Sequence, residues 1–272
     1  MNLTSKRALR FIPRRWTDWL LPARSFLLPL LLLMIWQLVQ VRPVVPVNLL
    51  PTPVSVLETI GSLAASGELG RHLAITSWRV LQGFLLGSMI ATLLGSLTGM
   101  SCSLRDLVDP LLQGLRSIPS LAWVPLFILW LGIYESSKVA LIATGAFFPV
   151  YLSLTQGLLD VDRKLVEVGR MAGFNRLELV HRILIPAALP GYVTGLRGGL
   201  GLAWMFVVAA EVMGASKGLG FLLLDGQQTG RASLILASIL LFALLGKLSD
   251  LLLVQLSRPF LHWQDSHSLQ PA

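Results

Sequence analysis

Charged residues are scarce in this sequence of 272 residues. They make up 13% of the chain, whereas hydrophobic residues make up 54% and the mean hydropathy is +0.71. A soluble domain carries about 25% charged residues because water must wet its surface. A disordered chain, in turn, is poor in large aliphatic residues and rich in charge. The composition therefore excludes both classes and favours a protein whose surroundings are largely lipid.

The residues of common cofactor sites are also few. Cys102 is the single cysteine, so the chain has no intrachain disulfide, CxxC pair or multi-cysteine metal site, and the four histidines are dispersed. The patterns GxxxxGK[ST], GxGxxG and HExxH are missing. We therefore expect this chain to bind no metal and no cofactor, and any ATP that it uses to be bound by a partner. The net charge is +8, but the charged residues lie between apolar runs and do not indicate nucleic acid binding.

Long apolar runs are what the sequence does contain. A membrane-spanning helix needs about 20 mostly apolar residues. Six runs meet this criterion: 25–41, 80–100, 118–134, 138–158, 190–212 and 233–255. The predicted fold is thus an all-α integral membrane protein with six spans over 25–258, a preceding segment over 1–24 and a tail over 259–272.

The distribution of lysine and arginine predicts the orientation. Fourteen lie in the segments on the side of the two termini and six lie on the opposite side, with Arg197 and Lys247 inside spans. Because cytoplasmic loops carry the excess of positive charge, both termini are expected in the cytoplasm. Residues 42–78 then lie outside, where Thr52 is expected to cap a helix on the membrane surface.

Two spans carry small residues at every fourth position. Such rows let helix backbones approach closely in a membrane. The rows are Gly83, Gly87, Ala91, Gly95 and Gly99 in the second span, and Gly191, Gly195, Gly199 and Ala203 in the fifth.

The cytoplasmic loop over 159–189 has the start and stop signals of two short helices. Asp162 is placed to cap the first helix and Gly173 to end it, and Asn175 with Glu178 has the spacing of a capping box for the second. Such a hairpin, joined to a span at each end, would be a rigid lever.

This loop also carries a recognisable motif. The motif consists of Glu167-Val168-Gly169, then three residues, Gly173, nine residues and Ile183-Leu184-Ile185-Pro186. It resembles the EAA motif, E-A-A-x3-G-x9-I-x-L-P, of binding-protein-dependent ABC importer permeases. Val168, Gly169 and Ile185 depart from it conservatively. The resemblance implies that the loop couples the spans to a cytoplasmic ATPase. The coupling residues that it implies are Glu167, Gly169, Gly173, Phe174, Asn175, Arg176, Ile183 and Pro186.

A wider resemblance covers about Leu49 to Arg258. Strings such as Arg116-Ser117-Ile118-Pro119 and Leu129-Trp130-Leu131-Gly132 are similar to the nitrate/sulfonate/taurine branch of these permeases, and most similar to its aliphatic sulfonate members. It implies a bacterial inner-membrane permease that pairs with a second copy, two ATPase subunits holding ATP and Mg, and an extracytoplasmic binding protein. Alternating access would then move the substrate inward, and the chain itself would catalyse no covalent chemistry. Taurine, nitrate and other small organic substrates stay open.

The residues that line the passage are expected in two spans. Hydroxyl groups beside prolines of the third span would meet a polar solute, and Arg116 or Arg197 would meet an anion, although Arg197 could instead snorkel to the interface. The candidates are Arg116, Ser117, Ser120 and Trp123 around the third span, and Arg197, Trp204, Met205 and Glu211 in the fifth.

Two other classes are weighed against a permease. An ion-coupled secondary transporter predicts paired acids within the membrane, whereas Glu211 and Asp250 appear as isolated acids in this sequence. A membrane hydrolase would use Ser216 of the GxSxG string over 214–218, but that elbow requires a strand before it and a helix after it.

Overall fold

The computed structural model describes residues 20–41 and 49–261. Most of the expected segments 1–24 and 259–272 lies outside these residues. Over the described residues the chain is helical, without strands. The helices are α1 (Leu20–Val41), α2 (Pro53–Ala65), α3 (Glu68–Met100), α4 (Cys102–Arg116), α5 (Ser120–Leu131), α6 (Glu135–Leu159), α7 (Arg163–Met171), α8 (Arg176–Leu179), α9 (Ile185–Val212), α10 (Leu219–Gln228) and α11 (Ala232–Ser257).

Helix α6 lies at the centre of the bundle, between α3 and α9. The three helices are held together by small residues, as the sequence predicts. A Cβ added at Gly83 would lie 2.5 Å from Ile142, and one added at Gly199 would lie 2.8 Å from Val150, both on α6. The buried apolar core follows these contacts and includes Ile142, Ala146 and Val207.

Four helical segments are long and apolar enough to cross a membrane: Glu68–Met100, Glu135–Leu159, Leu177–Val212 and Ala232–Phe260. A bent pair, Cys102–Arg116 with Leu121–Leu131, would make a fifth. The apolar part of α1 over Leu27–Val39 is shorter. The structure of the described residues therefore contains four to five spans.

The structure differs from the expected straight span over 118–134. Helix α5 has 12 residues, and the axes of α4 and α5 differ by 105°. Pro119 has no N–H and disfavours a helical conformation for Ile118, so the helix breaks between Arg116 and Ser120. Residues 102–116, expected as a loop, form α4. Asp109 of this helix accepts a hydrogen bond from the Tyr151 hydroxyl, and Leu112 packs against the same part of the core.

The expected outer loop over 42–78 is mostly helical in its described part. Thr52 caps α2 by accepting a hydrogen bond from the Ser55 N–H at 3.2 Å, with Pro53 in the first turn. Helix α3 then begins at Glu68, twelve residues earlier than the expected span at 80. The turn between them is made at Gly67, whose φ of +77° suits glycine. Arg79 consequently lies inside α3.

Candidate functional site

The segment over 159–189 forms the expected helical hairpin. The Asp162 side chain caps α7 by accepting a hydrogen bond from the Lys164 N–H at 2.9 Å. Asn175 and Glu178 form a reciprocal capping box, each side chain accepting from the other residue's N–H at 2.9 Å. Gly173 has a φ of +80° at the turn. These local predictions are confirmed because capping depends on residues only two or three positions apart.

Close contact holds the two arms of this hairpin together. Gly169 is buried, and a Cβ there would lie 2.5 Å from Ile183 and 2.6 Å from Leu179. The Arg182 guanidinium lies 5.1 Å from the centre of the Phe174 ring. A glycine at position 169 therefore allows α7 to pack directly on the segment after α8, and the hairpin is a single packed unit.

The hairpin exposes large apolar side chains although it carries many charges. Val168, Met171 and Leu177 are 63%, 88% and 75% exposed, and they lie on α7 and at the start of α8. Glu167 is also exposed, next to them. Clustered exposed apolar side chains with a polar rim are typical of a surface that binds another protein.

A π-helical turn joins the hairpin to α9. It covers Val180–Leu184, and the helical path from Leu177 to Val212 is continuous. Pro186 cannot donate the backbone hydrogen bond that an α-helix would need here, which favours the wider turn. The hairpin is thus connected to a long buried helix without a flexible linker.

A largely buried ion cluster that sequence analysis missed lies at the end of α3, α6 and α9 that is away from the hairpin. We call Arg79, Glu135, Glu211 and Lys138 the Arg79 cluster. Arg79 donates to both Glu135 carboxylate oxygens at 2.6 and 2.7 Å and to Glu211 Oε1 at 2.8 Å. Lys138 Nζ lies 3.2 Å from Glu135 Oε1. Two cations and two anions balance, so the burial of Glu211 at 0% exposure is compensated.

The same cluster fastens the loop that follows α9. Glu211 accepts a hydrogen bond from the Gly220 N–H at 2.8 Å, and Arg79 donates to the Lys217 carbonyl at 2.7 Å. His72 contacts the Gly218 backbone at 2.9 and 3.1 Å. A side chain at Gly218 or Gly220 would collide with Glu211. Glu211, interpreted from the sequence as an isolated acid, is therefore paired within the folded chain.

The carboxylate of Asp250 is not isolated either. Arg197 of α9 donates to it through Nε at 2.8 Å and through Nη2 at 3.1 Å. A second polar contact between α9 and α11 is the hydrogen bond from Trp204 Nε1 to Ser249 Oγ at 2.8 Å. The signal that sequence analysis could have used is simple: an acid within a span requires a basic partner.

The candidate passage residues fall into two groups. Arg116 and Ser117 are exposed at the break before α5, Ser120 begins α5, and Trp123 stacks on Phe127 with ring centres 5.9 Å apart. On α9, Arg197 and Met205 are exposed, whereas Trp204 is half-buried. Glu211 is placed apart from these exposed side chains, inside the Arg79 cluster.

The described residues form neither the nucleophile elbow of a hydrolase nor a metal site. Ser216 follows a helix, not a strand, and lies in an exposed turn before α10. Within residues 20–41 and 49–261, no group of three or more His, Cys, Asp or Glu side chains is arranged to hold a metal ion. The nucleophile elbow is therefore contradicted by the structure.

These features define a helical membrane permease, with a folded loop joined to a long span. The chain belongs to the family of binding-protein-dependent transport system inner membrane components, whose model matches residues 83–260. It is 42% identical over 265 residues to the putative aliphatic sulfonates transport permease protein SsuC of Bacillus subtilis (strain 168), covering 97% of this chain and 95% of the relative. Identity to the SsuC protein of Escherichia coli (strain K12) is 38% over 254 residues, or 93% and 97% of the two chains.

The fold is also similar to a solved ABC transporter. A chain in inward-facing conformations of the MetNI methionine ABC transporter superposes with a TM-score of 0.63 at 20% identity, covering 72% of this chain and 98% of that one. With the family match and the two permease relatives, the protein is an ABC importer permease, a component of the inner membrane. The resemblance found in the sequence is confirmed.

Proposed function

We propose that this permease imports aliphatic sulfonates by alternating access. Two sulfonate permeases are 42% and 38% identical to it over almost their whole length, which supports this substrate class. The transport complex comprises a second copy of this chain, two ATPase subunits and an extracytoplasmic binding protein. The ATPases bind ATP and Mg and hydrolyse the ATP, while this chain binds no cofactor and catalyses no covalent step.

The observation that carries the mechanism is the packed hairpin over 163–184 and its continuity with α9. Its exposed apolar side chains, Val168, Met171 and Leu177, form the surface that docks on the ATPase. Glu167 and Arg176 orient the docking, and Gly169, Gly173, Phe174, Asn175, Ile183 and Pro186 keep the hairpin rigid. Movement of the ATPase subunits is then transmitted along α9, because no flexible linker absorbs it.

The proposed topology has six spans. They are α1, α3, the bent pair of α4 and α5, α6, α9 and α11, and the boundaries predicted from the sequence shift accordingly. Both termini lie in the cytoplasm with the hairpin, and the Arg79 cluster lies at the extracytoplasmic end. The lysine and arginine distribution supports this orientation.

The passage is proposed to lie along the exposed faces of the α4–α5 break and of α9. We assign Arg116, Ser117 and Trp123 to the first face, and Arg197, Trp204 and Met205 to the second. Ser120 is included by its position at the start of α5. Irregular backbone at membrane depth needs polar surroundings, which supports a wet surface at the break. Glu211 acts on the passage through the Arg79 cluster, by fixing the outer ends of α3, α6 and α9.

Uptake measurements test the function. A strain lacking the gene is complemented with the wild-type chain, and uptake of labelled alkanesulfonate is measured with unlabelled taurine and nitrate as competitors. Uptake restored by the wild type, and lost when the partner ATPase is inactivated, is expected. Uptake that persists without the ATPase would instead indicate an ion-coupled secondary transporter, and stronger competition by taurine or nitrate would reassign the substrate.

The coupling role of the hairpin has its own test. Glu167→Lys reverses a charge on the docking surface, so co-purification of the ATPase is expected to fall while membrane insertion is retained. The matched control is Glu58→Lys, which reverses an exposed charge on α2. Undiminished ATPase association in the Glu167 variant would contradict the coupling role.

A further inference from the structure

The ion pair between Arg197 and Asp250 joins two membrane-spanning helices, α9 and α11. Arg197 is 15 residues before the end of α9 at Val212, and Asp250 is 18 residues after the start of α11 at Ala232. At 1.5 Å per residue these positions are about 22 and 27 Å from the helix ends on the side of the Arg79 cluster, against a hydrocarbon thickness of about 30 Å. The pair is therefore within the spans, toward the end that carries the hairpin.

The pair is not enclosed by the protomer. The Arg197 side chain is 50% exposed and that of Asp250 is 27% exposed. An ion pair facing hydrocarbon would be costly, so such groups face a water-filled cavity or the interior of an assembly. The neighbouring exposed surface of α9 agrees with this, since it consists of Thr194, Gly198 and Gly201.

Other exposed helix faces differ sharply from this one. Helix α11 exposes Leu244, Leu248, Leu252 and Leu256 at 46–70%, a face suited to lipid tails. Around Arg197, by contrast, a Cβ added at Gly201 would meet no atom within 4 Å. The leucine face and the Arg197 face therefore have different surroundings, and the Arg197 face is the one suited to water.

The guanidinium of Arg197 has one edge in use and one edge free. Nε and Nη2 donate to the two oxygens of Asp250, whereas Nη1 has no hydrogen-bond partner among the described residues. Nη1 and the second N–H of Nη2 form a fork that matches two oxygens of an oxyanion. Lys247, one turn before Asp250 on α11, is exposed as well, so two cations face one carboxylate.

From this geometry we infer that Arg197 binds the anionic group of the transported solute through its free edge, with Asp250 as a competing partner that lets the anion leave. The inference rests on the proposed function and specifies its substrate chemistry: a small organic anion with two or more acceptor oxygens, such as a sulfonate. A lone arginine would retain the anion, whereas an arginine already shared with a carboxylate binds it weakly enough to release it. Asp250 is thus a positioning residue for Arg197.

Thiol chemistry tests this site without requiring transport. Gly201→Cys is introduced into a Cys102→Ser chain, which is assembled with its ATPase and reconstituted in membranes. Two methanethiosulfonate reagents are compared, one carrying a sulfonatoethyl group and the other a trimethylammonium-ethyl group, with each rate divided by that for a free thiol. We expect the anionic reagent to react at least about threefold faster, because Arg197 lies one turn away.

Variants then assign the preference to the guanidinium. Arg197→Gln is expected to lower the anion-to-cation rate ratio at least about threefold, and Asp250→Asn to raise it. Ser249→Ala is the matched control, since it breaks the other polar contact between α9 and α11 without changing charge. A ratio unaffected by Arg197→Gln, an equal fall in the Ser249 variant, or a cysteine unreactive to both reagents would overturn the inference.

Uptake separates this inference from the proposed function. If the wild type carries alkanesulfonate, Arg197→Gln should reduce uptake at least about tenfold while ATPase association is unchanged. Wild-type uptake by that variant would overturn the anion site and leave the importer standing. If the wild type carries no alkanesulfonate, the sulfonate assignment fails, and the reagent rates still decide whether Arg197 attracts anions.

Discussion

At the scale of single residues, the buried Glu211 carboxylate requires Arg79 as its counter-ion. The carboxylate is fully buried, and it accepts hydrogen bonds from Arg79, from the Thr76 hydroxyl at 2.9 Å and from the Gly220 N–H at 2.8 Å. Desolvation of such a pair can equal its mutual attraction, so the intact pair adds little net stability. Removal of one partner is different, because it leaves an uncompensated charge in the core.

We therefore predict that Glu211→Gln destabilises the folded chain by about 3–5 kcal/mol. Glu58→Gln is the matched control: its side chain is exposed on α2, so water solvates it in either form and the stability is expected to be unchanged. Thermal unfolding of the detergent-solubilised chain measures both. Equal losses in the two variants would show that burial of Glu211 does not determine the energy of the cluster.

At the scale of helices, the main feature is the close packing of α3 and α9 against α6. Gly87 packs against the backbone of Ala143, and Gly195 packs against Ser153 and the Pro149 carbonyl. With lipid outside, apolar burial gives little drive for helix association, and close van der Waals contact supplies most of it. A glycine in these rows thus stabilises packing at the expense of helix propensity.

Two substitutions on α3 separate these effects. Gly87→Ala is expected to destabilise the bundle by about 1–3 kcal/mol, because the added methyl group meets the Ala143 backbone, which cannot move as a side chain can. Gly70→Ala lies on the same helix with no atom within 4 Å of the added Cβ. It should be neutral or stabilising by up to about 1 kcal/mol through helix propensity. Unfolding midpoints that rank the two variants in the opposite order would refute this account of the packing.

On the scale of the whole molecule, the orientation in the membrane determines what each end contacts. The hairpin over 163–184 and the Arg79 cluster lie at opposite ends of α9. If the hairpin is cytoplasmic, Cys102 at the start of α4 is on the same side, and Ser216 is on the other.

Accessibility of Cys102 measures this orientation directly. Its thiol is exposed, and we predict that a membrane-impermeant thiol reagent labels it in inside-out vesicles but not in intact cells. Ser216→Cys in a Cys102→Ser chain is the matched control and should show the reverse pattern. Labelling of Cys102 in intact cells would invert the proposed topology.

Local features were predicted from the sequence because their causes are local. The caps at Thr52, Asp162 and Asn175 depend on side chains within three residues of the backbone that they satisfy. The rows of small residues also identified the faces that pack, since a period of four residues follows one side of a helix. The EAA-like spacing identified the family in the same way, as a motif within a single loop.

Tertiary structure alone decided the pairings between distant residues. Arg79 and Glu211 are 132 positions apart and Arg197 and Asp250 are 53 apart, and no spacing rule connects them. A sequence determines which groups need partners, because burial of a charge is costly, but the packing of helices determines which partner each charge reaches.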